Sequence, residues 1–129
     1  MRKQYYFRPS DRGLLAWDVD RLVALTKDFP RIEVPLTAIR ELDEPFHSDI
    51  EPSTWRTMIE HVGLMDSADL SFPIILAADG RVMDGMHRGA KALLLGNPNI
   101  KAVQFTQDPE PDYIGVTPED LSYEEDESW

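Results

Sequence analysis

The chain has 129 residues, of which 42% are hydrophobic and 29% charged, and it contains no cysteine. This composition predicts one folded domain, and the lack of cysteine excludes disulfides, thiolate metal sites and thiol catalysis. No apolar run is long enough for a membrane span, and the first residues lack the apolar segment of a secretory signal, so we expect a cytoplasmic protein.

The net charge of −11 is distributed unevenly along the chain. Nine of the 24 acidic residues lie in residues 107–129, which hold no lysine or arginine, and the other 15 acids accompany 13 bases in residues 1–106. We therefore expect a nearly neutral body, residues 1–106, and an acidic extended C-terminal arm, residues 107–129, which apolar side chains pin to the body. Neither part has the basic surface needed for non-specific DNA binding, so DNA is not an expected partner.

The first 30 residues predict a helical region. The segment WDVDRLVALTKDFP has Asp18 as a candidate N-cap and Pro30 beyond the helix end. Trp17 is expected on the apolar face of this helix. That face is formed by side chains at helical spacing, which are Val19, Leu22, Val23 and Thr26.

A second helix is predicted in STWRTMIEHVGLM, with Ser53 as its N-cap. His61 lies close to its expected C-terminus, where a positive charge is favourable. The predicted buried stripe of this helix consists of Trp55, Met58, Ile59 and Val62.

The rest of the body alternates short strands with a third helix. RIEVPL predicts a strand with Pro35 at a sheet edge or at the strand end. PIIL and RVM predict a hairpin around Asp79–Gly80, and IKAVQF predicts a final strand. MHRGAKALLLG predicts a helix that ends at Gly96. Its expected buried face is Met86, Ala90, Leu93 and Leu94. The fold class is therefore α/β (α+β), a short mixed sheet with about three helices.

The start of this third helix carries the strongest functional signal. A helix N-terminus exposes unpaired N–H groups and a partial positive charge, which together bind anions. Gly85 lets a bulky anion approach the backbone, and His87 and an exposed Arg88 add side-chain donors. Lys91 follows one turn later. The pattern predicts a phosphate-binding site.

A purely structural explanation fits the same residues equally well. Asp84 could cap the helix, Gly85 could serve a tight turn, and Arg88 could pair with a surface carboxylate. Asp84 also competes with a phosphate for the N–H groups, unless it caps the helix from the side or binds a metal or a substrate hydroxyl.

The order of these segments resembles the ParB/sulfiredoxin superfamily over residues 31–105. The similarity rests on a strand, a turn and a glycine-led basic motif, here Pro73-Ile74-Ile75-Leu76, Asp79-Gly80 and Asp84-Gly85-Met86-His87-Arg88. The resemblance implies that nucleotide phosphates bind at Gly85, His87, Arg88 and the backbone of Met86. It makes ATP, ADP or CTP, with Mg²⁺, the candidate cofactors.

Departures from the family narrow its implications. Met86 stands where sulfiredoxins carry the catalytic cysteine of their GCHR motif, so sulfinic acid reduction is excluded. The GERR-type motif and helix-turn-helix domain of chromosome-partitioning ParB proteins are replaced by DGMHR and an acidic arm. DGMHR is most similar to the DGHHR motif of free serine kinases, which implies a glutamate general base. Glu41 is preferred for that role over Asp43 and Glu44.

Two functions from different classes remain open. In the first, the domain is a small-molecule kinase or nucleotidase in which Glu41 activates the acceptor and His87 stabilises the transferred group. In the second, it is a non-catalytic binding or regulatory module of the same fold. The three histidines lack metal-ligand spacing, so no metal site is expected. The oligomeric state is left open.

Overall fold

A computed structural model describes residues 3–45 and 54–123 of the chain. Ser53, the expected N-cap of the second helix, lies outside these residues, and the N-cap is instead Thr54, whose hydroxyl oxygen accepts a hydrogen bond from the Thr57 N–H. The helices are α1 (Val19–Thr26), α2 (Trp55–Ser67) and α3 (Met86–Leu94), with short 3₁₀ turns at Leu36–Ala38, Arg40–Asp43 and Pro118–Asp120. The strands are β1 (Tyr5–Ser10), β2 (Gly13–Asp18), β3 (Ile32–Pro35), β4 (Ile74–Leu76), β5 (Val82–Asp84), β6 (Asn99–Gln104) and β7 (Tyr113–Ile114).

Two sheets and three helices make a mixed α+β domain, which confirms the predicted fold class. The larger sheet has the order β3-β6-β4-β5, with β4 and β6 parallel and the other pairs antiparallel. Pro35 lies on the edge strand β3, as predicted, where its missing N–H breaks no internal ladder. In the described part of the chain, no helix combines the length and apolar character needed to cross a membrane.

Alternating side chains of the central strands supply two cores, one on each face of the larger sheet. Ile74, Leu76 and Val82 pack beneath α3, where Ala92 is buried. On the other face, the core consists of Ile75, Met83, Val103, Trp17, Leu22, Ala77 and Phe105. Because side chains alternate along a strand, neighbouring residues such as Ile74 and Ile75 serve different cores.

The N-terminal region contains a hairpin that the sequence prediction missed. Trp17 lies on β2 rather than on a helix, opposite Tyr6 of β1, and is 2% exposed. The helix begins only at Val19, where the Asp18 carboxylate accepts a hydrogen bond from the Asp20 N–H as predicted for an N-cap. Val23, expected to be buried, is half exposed. Trp17 was assigned to the apolar face of the helix because periodicity alone does not distinguish a short apolar stretch of strand from a turn of helix.

The described part of the arm is bound to the body by both polar and apolar contacts. Strand β7 adds a third strand to the β1-β2 hairpin. The Asp108 carboxylate accepts hydrogen bonds from Ala78 N–H and Arg8, and the Trp17 indole donates to the Pro109 carbonyl. Leu121 is buried, whereas Tyr113 and Ile114 are 43% and 46% exposed. Carboxylates and backbone carbonyls therefore hold the arm together with the buried Leu121 and the rings of Tyr113 and Tyr123, both of which contact Tyr5.

The predicted buried face of α2 is wrong, and that of α3 is right only for Met86, which is partly buried against the core, and for the half-buried Ala90. Trp55 is 81% exposed and Ile59 is 65% exposed, and Leu94 of α3 is 80% exposed. The partly buried positions of α2 are Thr57, His61 and Met65, at helical spacing but largely polar. In α3 the buried residues are Gly89 and Ala92, whose small size lets the helix lie close to the sheet. Met58 and Val62 of α2 and Leu93 of α3 are also exposed.

We expect Trp17 of β2 and Trp55 of α2 to differ sharply in their contribution to stability. Trp17→Ala should reduce the free energy of unfolding by about 3–5 kcal/mol, because it opens a cavity and removes an indole donor. Trp55→Ala should change it by less than about 0.5 kcal/mol, since the side chain is exposed. Denaturant unfolding followed by far-UV circular dichroism measures both without relying on tryptophan fluorescence. Equal losses would mean that Trp55 is covered in solution.

Candidate functional site

Gly85 joins β5 to α3 in a conformation that other residues rarely adopt. It is the N-cap of the helix, with φ +114°, and no described side chain caps the helix by a hydrogen bond. A Cβ placed on it would lie 2.6 Å from Ile74 Cγ2 and 2.9 Å from Arg88 Nη2. The glycine is therefore required by the turn and by close packing, and it leaves the first N–H groups of α3 without a side-chain cap.

A cleft of about 1020 Å³ opens at this end of α3. We call it the α3 cleft. Its walls are residues 82–87 of β5 and α3, His61 of α2, residues 3–7 before and within β1, and Pro118, Glu119 and Tyr123 of the arm. Tyr5 and Tyr123 contact edge to face, with ring centres 5.4 Å apart, so one wall is aromatic. With Val19 of α1, which also lines the cleft, five separate segments of the described chain meet here.

His87 contacts a second histidine in the cleft. Its Nε2 lies 3.0 Å from Nδ1 of His61, 26 residues away in the sequence. Partial burial is the main cause that lowers the pKa of His87 below its ordinary value, and the neighbouring His61 and Arg88 also lower it. The negative charge of Asp84 raises the pKa of His87, but by less than burial lowers it. His87 is therefore held in a setting that favours its neutral form at neutral pH.

The sequence predicted an exposed Arg88 in the first turn of α3. In the structure Arg88 is mostly buried and does not line the cleft. Its Nη2 donates to the Asp84 carboxylate at 3.1 Å and to the Pro73 carbonyl at 3.3 Å. The two ion-pair partners are 20% and 18% exposed. Arg88 is not among the cleft-lining residues, and its buried Nε has no partner within residues 3–45 and 54–123. Asp84 thus pairs with Arg88 instead of capping α3.

Lys91 serves the junction between two helices. Its Nζ donates hydrogen bonds of 2.7 Å to the carbonyls of Asp66 and Ala68, at the C-terminal end of α2. These carbonyls have no partner within the helix, and a lysine ammonium satisfies them while complementing the helix dipole. The structure therefore places Lys91 outside the group at the start of α3 and gives it a role in holding α2.

Glu41 lies on a 3₁₀ turn beside β5. Its Oε2 accepts a 2.5 Å hydrogen bond from the Val82 N–H, and its buried Oε1 has no partner among the described residues. It does not line the α3 cleft. Of the predicted site residues, four line the cleft, namely Asp84, Gly85, Met86 and His87. The other three, Glu41, Arg88 and Lys91, do not line it.

Sequence reasoning missed several residues of the cleft. His61 was placed near the C-terminus of its helix, but α2 continues to Ser67 and puts the imidazole against His87. Lys3, Tyr5 and Phe7 belong to the unrecognised first strand region. The helical spacing of Thr57, His61 and Met65 could have indicated the face of α2 that packs on the domain. The more apolar stripe of Trp55, Met58, Ile59 and Val62 on the same helix obscured that signal.

Comparison with known proteins assigns no family. No protein-family model matches the chain, and neither a curated protein nor a solved structure matches it. Within the part of the chain that the structure describes, no group of three or more metal-ligating side chains is present.

We expect Arg88→Ala to lower the free energy of unfolding by about 1.5–3 kcal/mol, because it removes charge-assisted hydrogen bonds and leaves Asp84 partly buried without its cation. The matched control is Arg56→Ala on the exposed side of α2, which should change stability by less than about 0.5 kcal/mol. Urea unfolding of both variants is the measurement. Equal small effects would show that the Asp84–Arg88 pair is not held in solution.

The lowered pKa of His87 predicts a pH dependence of folding. Below the ordinary histidine pKa of about 6.5, the unfolded chain binds a proton at this residue more readily than the folded chain. Stability should therefore fall as the pH drops below about 6.5, and part of that loss should disappear in His87→Asn. The measurement is the difference in unfolding free energy between the two proteins at several pH values. If the difference in unfolding free energy between the two proteins stays constant from about pH 8 to 5, His87 does not contribute to the pH dependence of stability.

Proposed function

We propose that this domain binds a phosphate-bearing small molecule of the nucleotide class in the α3 cleft. One observation carries the proposal. The N-terminus of α3, which no described side chain caps, opens on a cleft of about 1020 Å³ with His87 on its wall. Unpaired first-turn N–H groups and the helix dipole both favour an anion at this position.

The surrounding residues support a phosphate for separate reasons. Gly85 and Met86 offer backbone N–H groups, and His87 offers a ring nitrogen. Arg88 does not contact the ligand in this proposal. It compensates the charge of Asp84, so the carboxylate at the cleft repels an anion less.

A nucleotide is favoured over inorganic phosphate by the shape and chemistry of the opposite wall. Tyr5, Phe7 and Tyr123 line the cleft, and aromatic rings of this kind stack on planar bases. The size of the cleft is in the range of small-molecule sites. The DGMHR motif and its resemblance to the ParB/sulfiredoxin superfamily support the same ligand class.

Binding without catalysis is the form of this function that the geometry supports best. Phosphoryl transfer would require a base near the acceptor, and Glu41, whose Oε2 accepts a hydrogen bond from the Val82 N–H, does not line the cleft. The position of Glu41 therefore favours a ParB/sulfiredoxin-like binding or regulatory module over a kinase of the DGHHR type, although the motif itself is most similar to that of the kinases.

Calorimetric titration of ATP, ADP and CTP, each with and without Mg²⁺, tests the proposal. His87→Glu places a carboxylate at the start of α3 and should weaken nucleotide binding by at least about tenfold, equivalent to 1.4 kcal/mol. Leu94→Glu introduces an exposed carboxylate at the opposite end of the same helix and should change the affinity by less than about twofold.

Two results would contradict this assignment. The first is the absence of nucleotide binding to the wild-type protein, and the second is an equal loss in both glutamate variants. Incubation with nucleotide and Mg²⁺ tests catalysis directly. Turnover that is abolished by Glu41→Gln would favour the kinase or nucleotidase over the binding module.

A further inference from the structure

One side of α2 exposes a continuous row of apolar side chains. Trp55 is 81% exposed and Ile59 65%, and Met58 and Val62 are each about half exposed. Spacings of three and four residues put these four side chains on the same side of the helix, and we call them the α2 stripe. A covered aromatic side chain buries roughly 150–250 Å². Trp55 and its three neighbours together therefore reach the size at which an exposed apolar patch indicates an interaction site.

Two charged residues of α2 lie at the ends where an isolated helix disfavours them. Arg56 is in the first turn, where the helix dipole repels a cation, and Asp66 is in the last turn, where it repels an anion. Within residues 3–45 and 54–123 neither side chain forms an ion pair. An antiparallel copy of the same helix would bring an acid to the N-terminus of α2 and a base to its C-terminus. The charges of α2 are therefore complementary to α2 itself.

The spacing of these charges sets the register of such a pair. Arg56 and Asp66 are ten residues apart, about 15 Å along the helix. A two-fold axis midway between them places Arg56 of each copy beside Asp66 of the other. The same axis places Ile59 opposite Gly63 of the second copy. A Cβ added to Gly63 would have no described atom outside its own helix turn within 4 Å, so this glycine leaves room for Ile59.

We propose that the α2 stripe is the interface of a homodimer in which α2 packs antiparallel against α2 of a second copy. The two stripes cover each other, and two equivalent Arg56–Asp66 ion pairs form at the rim of the contact. No residue of the stripe lines the α3 cleft. The dimer is therefore independent of the proposed nucleotide binding, and either can hold without the other.

A second copy fits the stripe better than a lipid surface does. Helices that lie on membranes are rich in lysine and arginine on their polar side, whereas Arg56 is the one such residue in α2. The chain carries a net charge of −11, which anionic lipids repel. Both features disfavour a membrane as the occupant.

The size of the contact predicts a weak dimer. A pair of 13-residue helices covers less surface than the roughly 1,200–2,000 Å² buried in a stable interface. We therefore expect a dissociation constant on the order of 10–100 µM, as is typical of transient complexes.

Sedimentation velocity from about 5 to about 500 µM protein, in about 0.15 M salt, measures the association. The mass of the wild-type protein should rise from 14.8 kDa towards twice that value. Ile59→Glu buries a carboxylate in the interface and should weaken the dimer by at least about tenfold. Leu64→Glu is the matched control. Leu64 is 52% exposed on the same helix, about 140° around from Ile59, and its replacement should change the dissociation constant by less than about twofold.

A charge exchange tests the antiparallel register. Arg56→Glu alone and Asp66→Arg alone each turn both ion pairs into repulsive pairs, and each should dimerise about tenfold more weakly. Neither change opposes the helix dipole, so the monomer should remain folded. An equimolar mixture of the two variants restores opposite charges at both contacts. It should therefore associate as a heterodimer within about threefold of the wild-type affinity.

Dimerisation also makes stability depend on protein concentration. The small effect expected for Trp55→Ala applies to the monomer, at a few micromolar protein. At hundreds of micromolar, the unfolding midpoint of the wild-type protein should rise with concentration, because the dimer binds only the folded state. The midpoint of Trp55→Ala should rise much less.

Four results would overturn the proposal. The first is a wild-type protein that stays monomeric at about 500 µM, far above the expected dissociation constant. The second is a dimer that Ile59→Glu does not weaken, since it would use another surface. The third is a mixture of the two charge variants that associates no better than either alone. The fourth is flotation of a monomeric wild-type protein with phosphatidylcholine vesicles that Ile59→Glu abolishes, which would assign the stripe to a lipid surface.

Discussion

The conformation of Gly85 is the constraint on which the candidate site depends. Its positive φ turns the chain directly from β5 into α3, and its lack of a side chain allows contact with Ile74 and Arg88. The same turn places Asp84 beside Arg88 and leaves the first N–H groups of the helix without a side-chain cap. One backbone position thus determines both the packing of α3 on the sheet and the availability of its N-terminus.

Contacts between distant segments complete the cleft around that turn. Lys91 ties α3 to the end of α2, and His61 of α2 reaches His87. On the other side, the Tyr5 hydroxyl donates to the Ser122 carbonyl and holds the arm against β1. The acidic arm is therefore part of the architecture of the site, and its Glu119 contributes a negative charge to the same cleft.

Much of the fold follows from local signals. The Asp79–Gly80 turn, the hairpin around it, the end of α3 at Gly96 and the cap at Asp18 all depend on residues close in sequence, and each was predicted. The failures concern which face of a helix is buried. Apolar stripes on α2 and α3 predicted burial, but burial depends on what lies opposite, and Trp55 and Leu94 face no described part of the domain closely enough to be covered.

The sequence by itself determined that a glycine-led basic turn opens a helix in a small α+β domain, because turn geometry and helix capping are local properties. Only the tertiary structure decided how that turn is used. It directed Arg88 to Asp84 and Pro73, Lys91 to the end of α2, and Glu41 to Val82, and it brought His61 to His87. These pairings join residues whose distance along the chain does not indicate their distance in space, so they depend on how the helices and the sheet pack together.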